Sequence, residues 1–280
     1  MKIRILILLI FYFVLSSCTN LKYINKFDGH NGKPKIIESK SYSVVKKNDS
    51  ILKGEQMLHH IDYYDIIGRH LKIFSFRPNG TKSMGGLYYE YDRFGHLSQV
   101  TFYNKDSTVN SQTNFIYNKK GQKLSEEHIR ENNEQKSIYF SEYLEKRNIT
   151  KVFGKKSDGT IIEKILMQHN KKGEEIEKLS FNENNTLKSK ITFRYDNKGN
   201  LIEQIWYNSE GVPLNKYTKT YDKNNNYIYG EKYRLIGKDS LINTTKRQIE
   251  YDKKGNVLKY IFFENDKPTL IEEYKIIYWN

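Results

Sequence analysis

Few side chains in this sequence are of a type and spacing that could do chemistry. The histidines are His30, His59, His60, His70, His96, His128 and His169; they include no His-Glu-x-x-His pair and stand at no zinc-finger spacing from a cysteine. His70 and His96 follow successive copies of one short motif, where two imidazoles could share a metal, although a polar residue beside a turn is the simpler reading. The acidic candidates are Asp65, Asp92, Asp196, Asp222 and Asp252. Calcium takes six to eight oxygens from a loop of alternating acidic or amide ligands. Each motif offers at most one aspartate, and lysine pairs such as Lys119-Lys120, Lys171-Lys172 and Lys253-Lys254 occupy motif turns. There is no serine elbow, no glycine-rich phosphate loop and no pair of carboxylates in a non-repeated segment. The sequence points away from an enzyme and calls for no cofactor and no metal.

The one residue with a definite chemistry is Cys18, the only cysteine in 280 residues. Upstream of it, Lys2 and Arg4 precede an apolar run from Ile5 to Leu15, which is the layout of a signal peptide. Leu15-Ser16-Ser17-Cys18 resembles the bacterial lipobox. That resemblance implies cleavage before Cys18, a diacylglycerol on its sulfur and an acylated amino terminus. Two lipid signals already give stable anchoring, so such a protein stays on its membrane. By resemblance to the enterobacterial sorting rule, Thr19 in place of aspartate implies the outer membrane. With no second cysteine a disulfide cannot form, and stability must come from the core. Residues 1–17 are assigned to the signal peptide, 18–33 to the lipidated N-terminus and linker, and 34–280 to a repeat domain.

The repeat is carried by Tyr-Asp-x-x-Gly, seen at Tyr64-Asp65…Gly68, Tyr91-Asp92…Gly95, Tyr195-Asp196…Gly199 and Tyr251-Asp252…Gly255. Weaker copies are Tyr117-Asn118…Gly121, Tyr143-Leu144…Arg147, His169-Asn170…Gly173 and Tyr221-Asp222…Asn225. Successive fourth positions lie 27, 26, 26, 26, 26, 26 and 30 residues apart, a period tight enough to define a repeat architecture. Asp at the head of a type I turn bonds back to the turn backbone, and Gly at the fourth position takes φ > 0. The motif therefore predicts a hairpin turn with a bulge. A second turn halfway through each unit, such as Asn208-Ser209-Glu210-Gly211, leaves two strands per repeat.

Period-two alternation supports the strands. Phe76, Tyr103, Ile129, Phe181, Tyr207, Tyr233 and Phe263 fall eight residues past the motif's fourth position, and Phe74, Leu179, Ile205 and Ile261 fall six past it. Return strands alternate too, as in Ile191, Phe193 and Tyr195, so one continuous apolar face is expected. Leu71, Leu124, Ile176, Ile202, Ile228 and Leu258, three past the motif, fall out of phase with it. The fold expected is all-β: an antiparallel meander of about eight 26-residue, two-stranded repeats, plus two strands before the first motif. A flat sheet of 18 strands would be roughly 80 Å wide at ~4.8 Å per strand. It should curl into a half-pipe, an open barrel or a roll.

The segments YDRFGHLSQ (91–99), YDNKGNLIE (195–203) and YDKKGNVLK (251–259) resemble the YD repeats of the RHS family, over about residues 64–280. The resemblance is closer to the short YD-repeat lipoproteins of Bacteroidetes. It implies an extended antiparallel sheet, with sugar binding proposed for some members of the RHS family. Lys and Arg number 47 against 33 Asp and Glu, a net +14. Loss of Lys2 and Arg4 with the signal peptide would leave +12. Lysines at the turns could form a positive rim for anionic glycans, lipopolysaccharide phosphates or a membrane surface, although they also guard sheet edges. Nucleic acid is not expected of an exported protein. The leading expectation is a non-enzymatic lipoprotein that presents its sheet to an envelope protein or an anionic glycan. A carrier of a hydrophobic ligand inside the curled sheet, and an immunity or accessory protein of an RHS toxin, are the alternatives.

Overall fold

The computed structural model describes residues 30–130, 135–237 and 239–280; the expected signal peptide, residues 1–17, and Cys18 lie outside them. The strands are β1 (Pro34–Lys47), β2 (Ser50–Tyr64), β3 (His70–Phe76), β4 (Gly86–Tyr91), β5 (Leu97–Tyr103), β6 (Val109–Tyr117), β7 (Lys123–Arg130), β8 (Gln135–Leu144) and β9 (Ile149–Lys156). They continue as β10 (Ile161–His169), β11 (Glu175–Phe181), β12 (Leu187–Tyr195), β13 (Leu201–Tyr207), β14 (Pro213–Tyr221), β15 (Tyr227–Arg234), β16 (Ser240–Tyr251), β17 (Val257–Glu264) and β18 (Lys267–Tyr278). Each strand pairs antiparallel with the strand before it and the strand after it. β1 pairs with both β2 and β18, at Ile37↔Asp62 and Ile37↔Ile276. The curled sheet is thus a closed 18-stranded barrel. Closure solves the edge problem, because no strand is left with an unpaired row of backbone groups.

An up-and-down barrel places alternate turns at opposite ends. All eight motif turns lie on one rim, called here the motif rim, and the second turns form the far rim. Out-of-phase Leu71, Leu124, Ile176, Ile202, Ile228 and Leu258 are each the extra residue of a β-bulge. Tyr64 and Tyr63, for example, oppose His70 and Lys72 with Leu71 between them, and the same shift recurs beside Leu124, Ile176, Ile202, Ile228 and Leu258. Bulges bend a strand and raise its local twist, so a device repeated round the rim helps the sheet to close.

Register corrects the expectation of one continuous apolar face. Ile205 pairs with Thr192, and Ile191 pairs with Trp206. The row through Phe74, Leu179, Ile205 and Ile261 is therefore on the opposite face from Ile191 and Phe193. Period two holds within each strand, but the phase inverts between outgoing and return strands. Nearly all the buried apolar side chains, Ile37, Tyr64, Phe115, Val152, Ile165, Met167 and Ile191, share the face of Ile191. Side chains converge on the concave side of a closed sheet, so that face is the inner wall. The aromatic row faces outward, where return-strand lysines lie beside it. Lys190 sits over Tyr207 at 5.5 Å and Lys216 over Tyr233 at 4.7 Å, and lysine stems shield such rings while their ammonium groups stay in water.

Candidate functional site

The residues singled out by the motif converge on one rim as turn architecture. Asp65 Oδ1 accepts from the Ile67 and Arg69 N–H groups at 3.0 and 2.9 Å. Asp92, Asp196, Asp222 and Asp252 accept the same two bonds, and Asn118 and Asn170 do so in their repeats. Gly68, Gly95, Gly121, Gly173, Gly199 and Gly255 have φ between 75° and 92°, and Asn225 has φ 62°. The Oδ2 atoms of Asp65, Asp92 and Asp196 are taken up within their own turns, whereas Asp222 Oδ2 accepts from Tyr251 and Asp252 Oδ2 from Tyr278, each from the next repeat.

The motif tyrosine has a role that sequence reasoning missed. Tyr91, Tyr117, Tyr143 and Tyr221 donate to the carbonyl oxygens of His70, Leu97, Lys123 and Leu201 at 2.9–3.0 Å. Each hydroxyl reaches back across one whole repeat, to the residue two past the preceding motif. His169, which stands in for tyrosine, bonds Thr150 Oγ1 through Nε2 at 3.1 Å.

His70 and His96 are each engaged within their own surroundings. His70 lies 3.4 Å from Asp62 and stacks on Tyr64 and Tyr89, while His96 Nδ1 lies 2.9 Å from Asp92 Oδ2 and packs on Tyr117. Among the described residues no group of three His, Cys, Asp or Glu is placed to hold a metal. At the eroded motif, Tyr143 to Arg147, a shallow groove opens between Asn118, Gln122, Leu124 and Glu145. Two of its charges satisfy each other, with Lys120 Nζ 2.7 Å from Glu145.

The inner wall is divided by chemistry. One arc is apolar: Val152, Ile165 and Met167 pack with Tyr139, whose ring lies over Gly154. Beside it Glu126, only 3% exposed, is held by Lys123 and by His128 at 3.0 Å. Burial pushes the Glu126 carboxyl up, but its bonds to His128 and Lys123 outweigh this and hold it below the usual range. Sealed and held by Lys123 and His128, that group is structural.

The opposite arc, on β14–β18, is cationic and aromatic. Pairing sets Lys219, Gly230 and Thr245 in one row and Arg247 beside Phe262 in the next. The missing side chain of Gly230 lets Tyr227 lie against the wall; a methyl there would run into Tyr227 Oη. Tyr227 Oη bonds Thr245 Oγ1. Arg247 sits 5.1 Å from the Tyr227 ring and 4.9 Å from the Tyr260 ring, and Lys219 approaches Tyr227 at 5.9 Å. Lys232 lies over Tyr217 at 5.4 Å. Tyr260 Oη donates to Glu272, which fixes that carboxylate on the phenol. Burial, then the neighbouring Arg247 charge, lowers the Lys219 pKa.

Among the described residues, Lys219, Lys232 and Arg247 form no ion pair, and the Arg247 Nε is buried without a partner. The three cations keep solvent access, and none of β13 or β14 is fully buried. Chemically, this arc can take an anionic group on its cations and a ring on its aromatic faces. No repeated motif announces it, because its members are the non-repeated residues of β14–β18. The available signal was Gly230 in mid-strand, where a glycine marks a close approach.

No family model matches the chain, and no curated protein does. Among solved structures the chain is similar to a porin-like protein from Bacteroides uniformis, at 10% identity and a TM-score of 0.32, covering 87% of this chain and 96% of that one. It is also similar to a TcdB2-TccC3-TEV chain, at 10% identity and a TM-score of 0.22, covering 84% of this chain and 19% of that one. The Tc holotoxin pore of Photorhabdus luminescens gives 10% identity and a TM-score of 0.17, covering 76% of this chain and 19% of that one.

Proposed function

We propose that this chain is a non-enzymatic, membrane-tethered binding protein whose barrel takes an anionic glycan of the cell envelope against its inner wall. The observation that carries this reading is the set of cations without ion pairs, Lys219, Lys232 and Arg247, interleaved with Tyr217, Tyr227, Tyr260 and Phe262. Sugar rings stack on aromatic faces, and guanidinium binds carboxylate or phosphate bidentately. Cys18, acylated, supplies the tether, with the outer membrane its destination.

The same arc weighs against a hydrophobic-ligand carrier, because a lipid tail would strip water from Lys219, Arg247 and Glu272 without compensation. The barrel wall is also unsuited to spanning a bilayer. Lys72, Lys164, Lys190 and Lys216 project from the outer face, and Arg or Lys at the midplane costs ~2–4 kcal/mol each.

Calorimetric titration of the detergent-solubilised full chain tests the reading, with tetragalacturonate as the anionic probe and maltotetraose as the neutral one. Tetragalacturonate should bind, and Arg247→Met should weaken it at least about tenfold, the loss of one charge-assisted contact. Native mass spectrometry of the same preparation should show no non-covalent lipid. A lipid at one-to-one stoichiometry would replace this reading with the carrier.

A further inference from the structure

We propose that the motif rim is a membrane-docking face, which seats the barrel end-on against an anionic bilayer surface and does not leave it swinging on its tether. Three observations on separate residues carry this. Large apolar side chains project from adjacent motif turns: Phe94 is 69% exposed even with Arg93 over its ring at 4.7 Å, and Ile66 and Ile67 are each 55% exposed. An apolar turn tip among basic residues is the composition of an interfacial membrane contact.

The rims differ in charge. The eight motif-turn segments (65–69, 92–96, 118–122, 144–148, 170–174, 196–200, 222–226 and 252–256) carry twelve Lys or Arg against seven Asp or Glu. Among the described residues, the segments of the far rim (47–51, 77–81, 104–108, 156–160, 182–186, 208–212, 235–237, 239 and 264–268) carry five against eight. The motif-rim acids are moreover engaged, as Asp196 is by the Lys198 and Asn200 N–H groups and Glu145 by Lys120, whereas Lys119, Lys171 and Lys253 are exposed. Basic residues near a negatively charged leaflet are attracted over about a Debye length, and the acidic far rim is repelled from it.

The described chain also begins at this rim and is fixed there. Asn31 N–H donates to Asn256 Oδ1 at 2.7 Å, Asn31 Nδ2 donates to the Lys254 carbonyl at 2.9 Å, and Asn256 Nδ2 returns a bond to the Asn31 carbonyl at 3.0 Å. Cys18 is thirteen residues upstream of Asn31, so a lipid on it tethers the barrel from its motif-rim side.

The test uses the lipid-anchored full chain, reconstituted in phosphatidylcholine vesicles with and without phosphatidylglycerol. Single thiols are placed by Lys119→Cys on the motif rim and by Glu210→Cys on the far rim, each carrying a fluorophore read against a quencher in the acyl region. Acylation of Cys18 leaves the introduced thiol as the one that labels, and the unsubstituted chain gives the background. The label at position 119 should be quenched, more strongly with phosphatidylglycerol, and the label at 210 should not. Changing Ile66, Ile67 and Phe94 together to Ser should abolish quenching at 119 while the protein still floats with the vesicles and melts as before. Equal quenching at both positions, none at either, or quenching at 119 that survives the triple substitution overturns the proposal. None of these outcomes bears on whether tetragalacturonate binds the inner wall.

Discussion

Tyr278 Oη donates to Asp252 Oδ2 at 2.7 Å, which ties the last strand of the barrel to the last motif turn. Asn256 Nδ2 donates to the same hydroxyl at 2.8 Å, and the backbone of Asn31 bonds Asn256. Through Asn256 one tyrosine thus links β18, the last motif turn and the start of the described chain at the seam where β18 meets β1. Tyr278→Phe should lower the unfolding free energy by about 1 kcal/mol, the usual worth of a part-exposed hydrogen bond. Urea denaturation followed by far-UV circular dichroism measures it, and an unchanged midpoint would remove the seam from the stability argument.

The same geometry explains how much was legible beforehand. Asp and Gly at fixed offsets encode a turn, and turns at a fixed period encode a meander, so strand number and fold class follow from the chain alone. The tyrosine's partner is a carbonyl one repeat away, and no local pattern names it. Closure depends on β1 meeting β18 across more than two hundred residues, through a pairing such as Ser39↔Tyr274 that carries no signature. The inward or outward sense of each aromatic row depends on cross-strand register, and alternation within a strand leaves that open. The cationic arc was invisible because repeats display what recurs, and Lys219, Tyr227 and Arg247 do not recur.

Gly199 sits at φ 88°, and a Cβ there would lie 3.1 Å from Glu174 Oε1. Gly199→Val should destabilise by about 1 kcal/mol or more, because a β-branched residue resists the left-handed region. Gly199→Asn should cost less, since Asn225 already fills the same position of another repeat at φ 62°. Thermal melts of the two variants side by side check the ranking. If valine and asparagine melt alike, backbone strain does not set the requirement for glycine.

Acid should loosen the motif rim. The side-chain bond from Asn200 and the backbone bonds from Asn200 and Lys198 hold the Asp196 carboxyl below its ordinary 3.8. For Asp92 and Asp252 burial pushes the other way, but bonds from His96 and Phe94, and from Tyr278, Asn256 and Lys254, prevail and the net shift is also downward. A carboxyl with a depressed folded-state pKa adds stability that is complete above the unfolded value and is lost as pH falls through the folded one. Urea midpoints should therefore drop below about pH 4. Asp196→Asn keeps the acceptor oxygen, as Asn118 and Asn170 do, and should flatten that drop measurably.

Glu175 should behave oppositely. Burial raises its pKa, with Lys178 only partly opposing, and its Oε1 is buried without a partner. The ionised form is penalised in the folded state, so its relative contribution is best below the unfolded value of 4.5 and is lost as pH rises through the folded value. Leu97 and Leu201 occupy the equivalent place in other repeats. Glu175→Leu should raise stability at pH 7 by about 1 kcal/mol, and the gain should shrink toward pH 4. A variant that is less stable than wild type at pH 7 would show that Glu175 has a partner in solution.

Gly230 links stability to the binding arc. A methyl added there would run into Tyr227 Oη and would lie 2.8 Å from the Thr218 carbonyl oxygen. The phenol can swing aside, but the carbonyl belongs to the paired strand β14 and cannot move without breaking the ladder. Gly230→Ala should therefore cost about 1–3 kcal/mol, the range for overpacking, and should lift Tyr227 away from Arg247 and Lys219. Pairing Gly230→Ala with Tyr227→Ala separates the two effects. Removing the ring relieves only the clash with the hydroxyl, so the double variant should recover part of the lost stability and none of the affinity for tetragalacturonate. If Gly230→Ala alone leaves that affinity at the wild-type value in a folded protein, Tyr227 is not part of the binding surface and the inner-wall site must be redrawn around Tyr260 and Phe262.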